Sequence, residues 1–186
     1  MNNCTNSGGY EFLKWKTTPN ELINMYPNAV EIKKEILFND ILFKGNFDIS
    51  YEFYKNINIE IDLIIYMDQK INLKGNDNNN FFHKNMENEN INTYRFFVYK
   101  DNKLFKVVVL YTIRQDIFVF VEEKLFSGLR RKYGKFNQEF NHGIYNYFSE
   151  ELIIKYSKFN EPHLNKYIYV SYYNQNIEEN ILKIES

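Results

Sequence analysis

The sequence predicts an α+β fold, an antiparallel, curved β-sheet of about five to eight strands with two or three helices packed on one face. Three observations carry this. Runs with two-residue alternation of apolar and polar side chains dominate the chain. Several of those runs are joined by short links, which demand antiparallel pairing. Two further segments carry helical spacing, and one of them opens with a capping signature.

The elements follow in order. Residues 1–9 are polar and read as a flexible tether, and residues 10–186 read as a single domain. Thr18-Pro19-Asn20-Glu21 places Thr at the N-cap, Pro at N1 and Glu at N3 of a short helix. Leu22, Ile23, Met25 and Tyr26 fill that helix, and Pro27 stops it. Val30 to Phe38 reads as a strand, with Ile41 to Lys44 continuing or pairing with it. Phe47, Ile49, Tyr51 and Phe53 then alternate with Asp48, Ser50 and Glu52. Ile57, Ile59, Ile61, Leu63 and Ile65 repeat the alternation, and Lys55-Asn56 makes the two runs a hairpin with one buried and one wet face.

Residues 70–92 lose the pattern and read as a mobile loop. Strands resume at Tyr94–Tyr99 and Leu104–Tyr111, joined by the turn residues Asp101-Asn102. Phe118, Val121, Leu125, Leu129 and Tyr133 recur at three- and four-residue spacing and predict a second helix. Asp116 is placed to cap its start, and Gly134 its end after a basic last turn. Ile144–Phe148, Leu152–Tyr156 and Tyr167–Tyr173 read as strands, with a short closing helix around Ile177, Ile181 and Leu182.

Composition bounds function. The chain has 186 residues, 44% hydrophobic and 18% aromatic, enough for a core without staples. Net charge is −1, so the basic excess of a non-specific nucleic-acid binder is missing, which weighs against that class. Asn, Ile, Lys, Tyr and Phe dominate, and all have AT-rich codons. Asn and Tyr richness therefore reads first as the composition of an AT-rich genome. No run approaches the 18 or so apolar residues of a membrane span. The single cysteine, Cys4, excludes an intrachain disulfide. Cys4-Thr5-Asn6-Ser7-Gly8-Gly9 has the form of a lipid-bearing cysteine followed by a tether. Met1-Asn2-Asn3 is not the small apolar triplet such a cysteine needs, so lipidation requires an upstream leader. Two compartments stay open, the cell envelope through a lipid on Cys4, and the cytoplasm.

The chemistry-bearing motifs are sparse. His83, His142, His163 and Cys4 show no metal-ligand spacing, and no cofactor or metal is expected. The sequence holds no nucleophile elbow and no phosphate-binding glycine loop. Glu122-Glu123 and Glu150-Glu151 are adjacent acids that diverge on a helix and suit solvated faces. Arg130, Arg131, Lys132 and Lys135 interleave with Tyr133 and Phe136, a pattern that suits phosphate contact with stacking. Compensation of the helix dipole explains the same cations. Aromatic richness, with Tyr51, Tyr145, Tyr147 and Tyr172 on strands, suggests a sheet face that recognises a protein, with Arg130 and Arg131 as charged contacts.

Gly9-Tyr10-Glu11-Phe12 with Trp15 and the capped Thr18–Leu22 segment resembles the opening of small bacterial exported proteins and lipoproteins, which carry a Trp-Gly pair and a Ser/Thr-capped helix. Lys103-Leu104 opening a strand, then Leu129-Arg130-Arg131-Lys132-Tyr133-Gly134, resembles their Lys-Tyr-Gly-x-Pro helix exit. Lys16 stands where Gly is usual and Phe136 where Pro is usual. The resemblance implies an envelope location and a non-enzymatic binding role, and it names no site. Three readings follow. The first is an interaction module recognising a protein partner. The second is an intracellular inhibitor or immunity-type protein that blocks a larger enzyme. The third is a hydrolase using carboxylates from different elements.

Overall fold

The computed structural model of the protein describes residues 9–10, 13–32, 64–70, 91–140, 144–148, 152–160, 165–174 and 176–177. A two-stranded hairpin, β1 (Gly9–Tyr10) with β2 (Leu13–Lys14), opens the described fold. Only glycine fits at its start, because a Cβ on Gly9 would lie 1.8 Å from the Leu13 carbonyl oxygen. The segment after it docks on the main sheet. Lys16 N–H donates to the Leu104 carbonyl at 2.8 Å, and Leu104 N–H donates to Thr17 at 3.1 Å.

Helix α1 (Pro19–Met25) starts as the sequence predicts. Thr18 N–H and Oγ1 donate to Glu21 Oε2 at 2.7 and 2.8 Å, and Glu21 N–H donates back to Thr18 Oγ1 at 3.4 Å. So short a helix is marginal alone, and Leu22, fully buried, anchors it to the core.

The main sheet is antiparallel throughout. Its strands are β3 (Val30–Ile32), β4 (Ile64–Lys70), β5 (Ile91–Lys100), β6 (Lys103–Arg114), β7 (Gln138–Phe140), β8 (Ile144–Phe148), β9 (Leu152–Asn160) and β10 (Asn165–Asn174). Among the described residues the spatial order is β3-β4-β5-β6-β10-β9-β8-β7. Helix α2 (Phe118–Tyr133), entered through a short 3-10 turn at Gln115–Ile117, links β6 to β7. The described elements therefore repeat one topology. Each described helix is followed by four described strands that neighbour one another in chain order, and the last strands of the two sets, β6 and β10, pair from Asn165 opposite Arg114 to Tyr173 opposite Lys106.

Both helices pack on one face. Leu22 of α1 and Phe118, Val121, Leu125 and Leu129 of α2 join Phe97, Tyr99, Val107, Val109, Ile154, Ile168 and Val170 in one buried cluster. These are the α2 residues whose spacing predicts its inner stripe. A second buried cluster lies on the other side of the sheet and includes Ile65, Met67, Phe96, Val98, Val108, Leu110 and Tyr169. The central strands are thus buried on both faces, whereas the hairpin read with one buried and one wet face lies almost wholly outside the described residues. The run Val107-Val108-Val109-Leu110 is apolar without alternation because successive residues enter opposite clusters.

One irregularity keeps the register. Val98 pairs with Lys106 and Tyr99 with Leu104, leaving Phe105 as an extra residue, a β-bulge. The bulge resets the alternation of β6, so Leu104 and Val107, three residues apart, share the helix-side cluster. The Asp101-Asn102 turn takes φ values of 50° and 56°, the left-handed pair that matches the twist of a two-residue hairpin. Gly134 closes α2 with φ 91°, as its placement predicts. Asp116 does not cap α2, contrary to what its position predicts. The N-cap is Ile117, without a side-chain bond, and the Asp116 carboxylate is drawn into an ion pair with Arg114. Phe47 to Phe53, Ile57 to Leu63, most of residues 70–92 and Ile181-Leu182 lie outside the described residues.

Candidate interaction surface

Burial orients α2, and a local ion pair precedes it. Its inner stripe is locked into the core, and in the turn before it Arg114 Nη2 donates to Asp116 Oδ2 at 2.6 Å while its Nε donates to Oδ1. The Arg114 hydrogen bond holds the Asp116 carboxyl below its ordinary range, and the same contact raises Arg114. Phe118 is covered on one side by Lys166, whose Nζ stands 4.9 Å from the ring centre.

With that stripe buried, the outward side of α2 is set. Val119 and Phe120 are 66% and 60% exposed in the first turn. Glu123, Lys124, Ser127, Arg130 and Arg131 are exposed further along. The spacing 120–124–127–131 is one helical ridge, and 119–123–126–130 is its neighbour. The far end is braced by aromatic rings. Phe126 stacks on Phe136 at 5.0 Å and 24°, and the Arg130 guanidinium lies 5.7 Å from the centre of Phe126. Lys132 stands 5.2 Å from the centre of Tyr133, which in turn packs against Tyr172 at 6.3 Å.

The predicted contact residues divide. Arg130 and Arg131 lie together on the exposed last turn of α2. Tyr172 is buried, 8% exposed, against Tyr10 at 4.9 Å, so it belongs to the core and not to a wet sheet face. Tyr145 and Tyr147 fall on β8 opposite Tyr156 and Ile154. Tyr51 and Cys4 lie outside the described residues, as do His83, His142 and His163. Sequence reading missed Val119 and Phe120. Their signal was available, since both fall off the stripe that Phe118, Val121, Leu125 and Leu129 define, where polar residues are the norm.

Among the described residues no group of three His, Cys, Asp or Glu side chains could hold a metal ion, and no helix is long and apolar enough to cross a membrane. Glu21 and Asp116 are both displaced downward, Glu21 by the Thr18 backbone N–H and then the Thr18 hydroxyl. Fold and surface together define an α+β protein with one helix presenting an apolar start and a cationic end. Comparison with protein-family models, curated proteins and solved structures yields no match to the chain.

Proposed function

We propose that the protein is a non-enzymatic interaction module that recognises a protein partner through the outward side of α2. The observation that carries this is the adjacent exposed pair Val119 and Phe120 on a helix whose other side is locked into the core. Large apolar side chains at neighbouring exposed positions are what a binding anchor requires, and Phe offers much area for few rotatable bonds. The surface is rigid because the helix is fixed, which lowers the ordering cost of association. This moves the recognition surface from the sheet, where Phe96, Phe97, Tyr99, Tyr111, Tyr169, Tyr172 and Tyr173 are buried, to the helix.

The test is photo-crosslinking in the native host from benzoylphenylalanine at position 120. A discrete protein adduct is expected, together with loss of that partner from pull-downs by folded Val119→Ser/Phe120→Ser protein. If positions 120 and 131 give no adduct, the proposal fails. Fractionating the same cells and weighing the intact protein tells where to look for the partner. A diacyl mass on Cys4 directs the search to the envelope, and a soluble unmodified chain directs it to the cytosol.

A further inference from the structure

We infer that the partner segment is acidic with one apolar anchor, the anchor seated at Val119 and Phe120 and the carboxylates at Arg130 and Arg131; this rests on reading the α2 surface as a protein-binding one. The argument starts from charge. Residues 114–135 hold six cations (Arg114, Lys124, Arg130, Arg131, Lys132, Lys135) against three carboxylates (Asp116, Glu122, Glu123), in a chain whose net charge is −1. Asp116 is already paired to Arg114. The cations concentrate at one end of the helix, and the exposed apolar pair sits at the other.

Spacing sets the ligand. Eleven helical steps separate Phe120 from Arg131, about 16 Å along the axis. An extended peptide covers that with about five residues. Arg130 is partly pre-ordered by its place over Phe126, which lowers the cost of fixing its planar fork on a carboxylate.

Other anionic ligands fit less well. A single-stranded nucleic acid stacks bases on open aromatic faces, whereas Phe126 packs against Phe136 and Arg130, Tyr133 carries Lys132, and the exposed Phe120 ring carries Lys124 at 5.4 Å. An anionic membrane is a continuous negative plane and would meet Glu123 between the anchor and the arginines. A peptide places its carboxylates only where the cations are.

The experiment selects a display library of random peptides of about 12 residues on the full chain, a length that spans the surface. Clustered Asp and Glu near one Leu, Ile or Phe are expected in the enriched peptides. Their affinity should fall about tenfold or more on Arg130→Glu/Arg131→Glu, and fall with added salt. Enriched peptides that lose binding to Val119→Ser/Phe120→Ser protein but carry no acidic cluster overturn this inference and leave the α2 surface standing. Peptides indifferent to both variants, or no enrichment, overturn both. Binding of phosphatidylglycerol vesicles or oligo-dT through Arg130 and Arg131, without acidic peptides, overturns the partner class.

Discussion

Arg95 and Asp68 stand directly opposite each other on β5 and β4, and Arg95 Nη1 donates to Asp68 Oδ2 at 3.0 Å with both side chains almost fully buried. The guanidinium also lies 5.4 Å from the centre of the Tyr26 ring, just past α1. Such a pair specifies strand register more than it stabilises, because two desolvated charges roughly cancel their own attraction. Sliding β4 by one residue against β5 would bury both charges apart.

Removing one partner should therefore hurt more than removing both. Asp68→Asn is expected to cost about 3 kcal/mol or more, since it strips the buried guanidinium of its counter-charge. Asp68→Leu/Arg95→Met should recover much of that. Urea unfolding of Asp68→Asn, Arg95→Met and the double variant checks it. A double variant less stable than either single would refute this account of the pair.

Lys16 takes φ 72°, a left-handed conformation that costs a side-chain-bearing residue about 1–2 kcal/mol. Glycine relieves that cost but adds unfolded-state entropy. Lys16→Gly should thus gain only about 0.5–1 kcal/mol, seen as a higher urea midpoint at unchanged slope. A loss of stability would mean that the Lys16 side chain compensates the strain.

The α1 capping box gives a pH signature. Thr18→Ala should cost about 1 kcal/mol at neutral pH. Glu21 is held below the ordinary carboxylate value in the folded state. Its contribution is therefore present in full above the unfolded carboxylate range and is lost as pH falls through its lowered folded value. The melting-temperature gap between the wild type and Glu21→Gln should be widest near neutrality and close on acidification. A gap constant with pH would show that the charge plays no part.

Tyr99 is fully buried, and its hydroxyl has no hydrogen-bond partner among the described residues. Burial first, then the nearby Tyr66 and Glu21, push its ionisation far above that of free tyrosine. The ring earns its place by packing edge-on to Tyr66 at 5.6 Å, not through the hydroxyl. Tyr99→Phe should stabilise by about 1 kcal/mol, because it removes a desolvated polar group without opening a cavity. Destabilisation in urea would reveal a bond to that oxygen.

Much of this was legible in local chemistry. Thr18, Pro19 and Glu21 announce α1 because a capping box needs only four neighbouring residues. Asp101-Asn102 announces its turn because both types tolerate positive φ. The α2 stripe is legible because helical spacing is rigid. What depends on distant residues was not. The burial of Tyr172 follows from Tyr10 and Tyr133, more than 35 positions away in the sequence, closing over it. Asp116 fits a cap locally, yet Arg114 competes for its carboxylate. The Phe105 bulge is set by the pairing of Val98 with Lys106 and Tyr99 with Leu104 across two strands, which no local pattern announces.

The two sides of α2 offer the sharpest separation of stability from recognition. Leu125 is buried in the helix-side cluster, and Leu125→Ala should cost about 2–5 kcal/mol through lost burial and the cavity left behind. Val119→Ser/Phe120→Ser alters residues that contribute little to that core, so its stability should stay within about 0.5 kcal/mol of wild type per substitution. The proposed role requires the second variant to lose its partner while keeping its melting temperature. The first, where still folded, should retain partner affinity once corrected for the folded fraction. Calorimetry paired with a binding isotherm measures both. If Val119→Ser/Phe120→Ser proves as destabilising as Leu125→Ala, the exposed pair is a structural element of the fold, and recognition must be sought elsewhere on the chain.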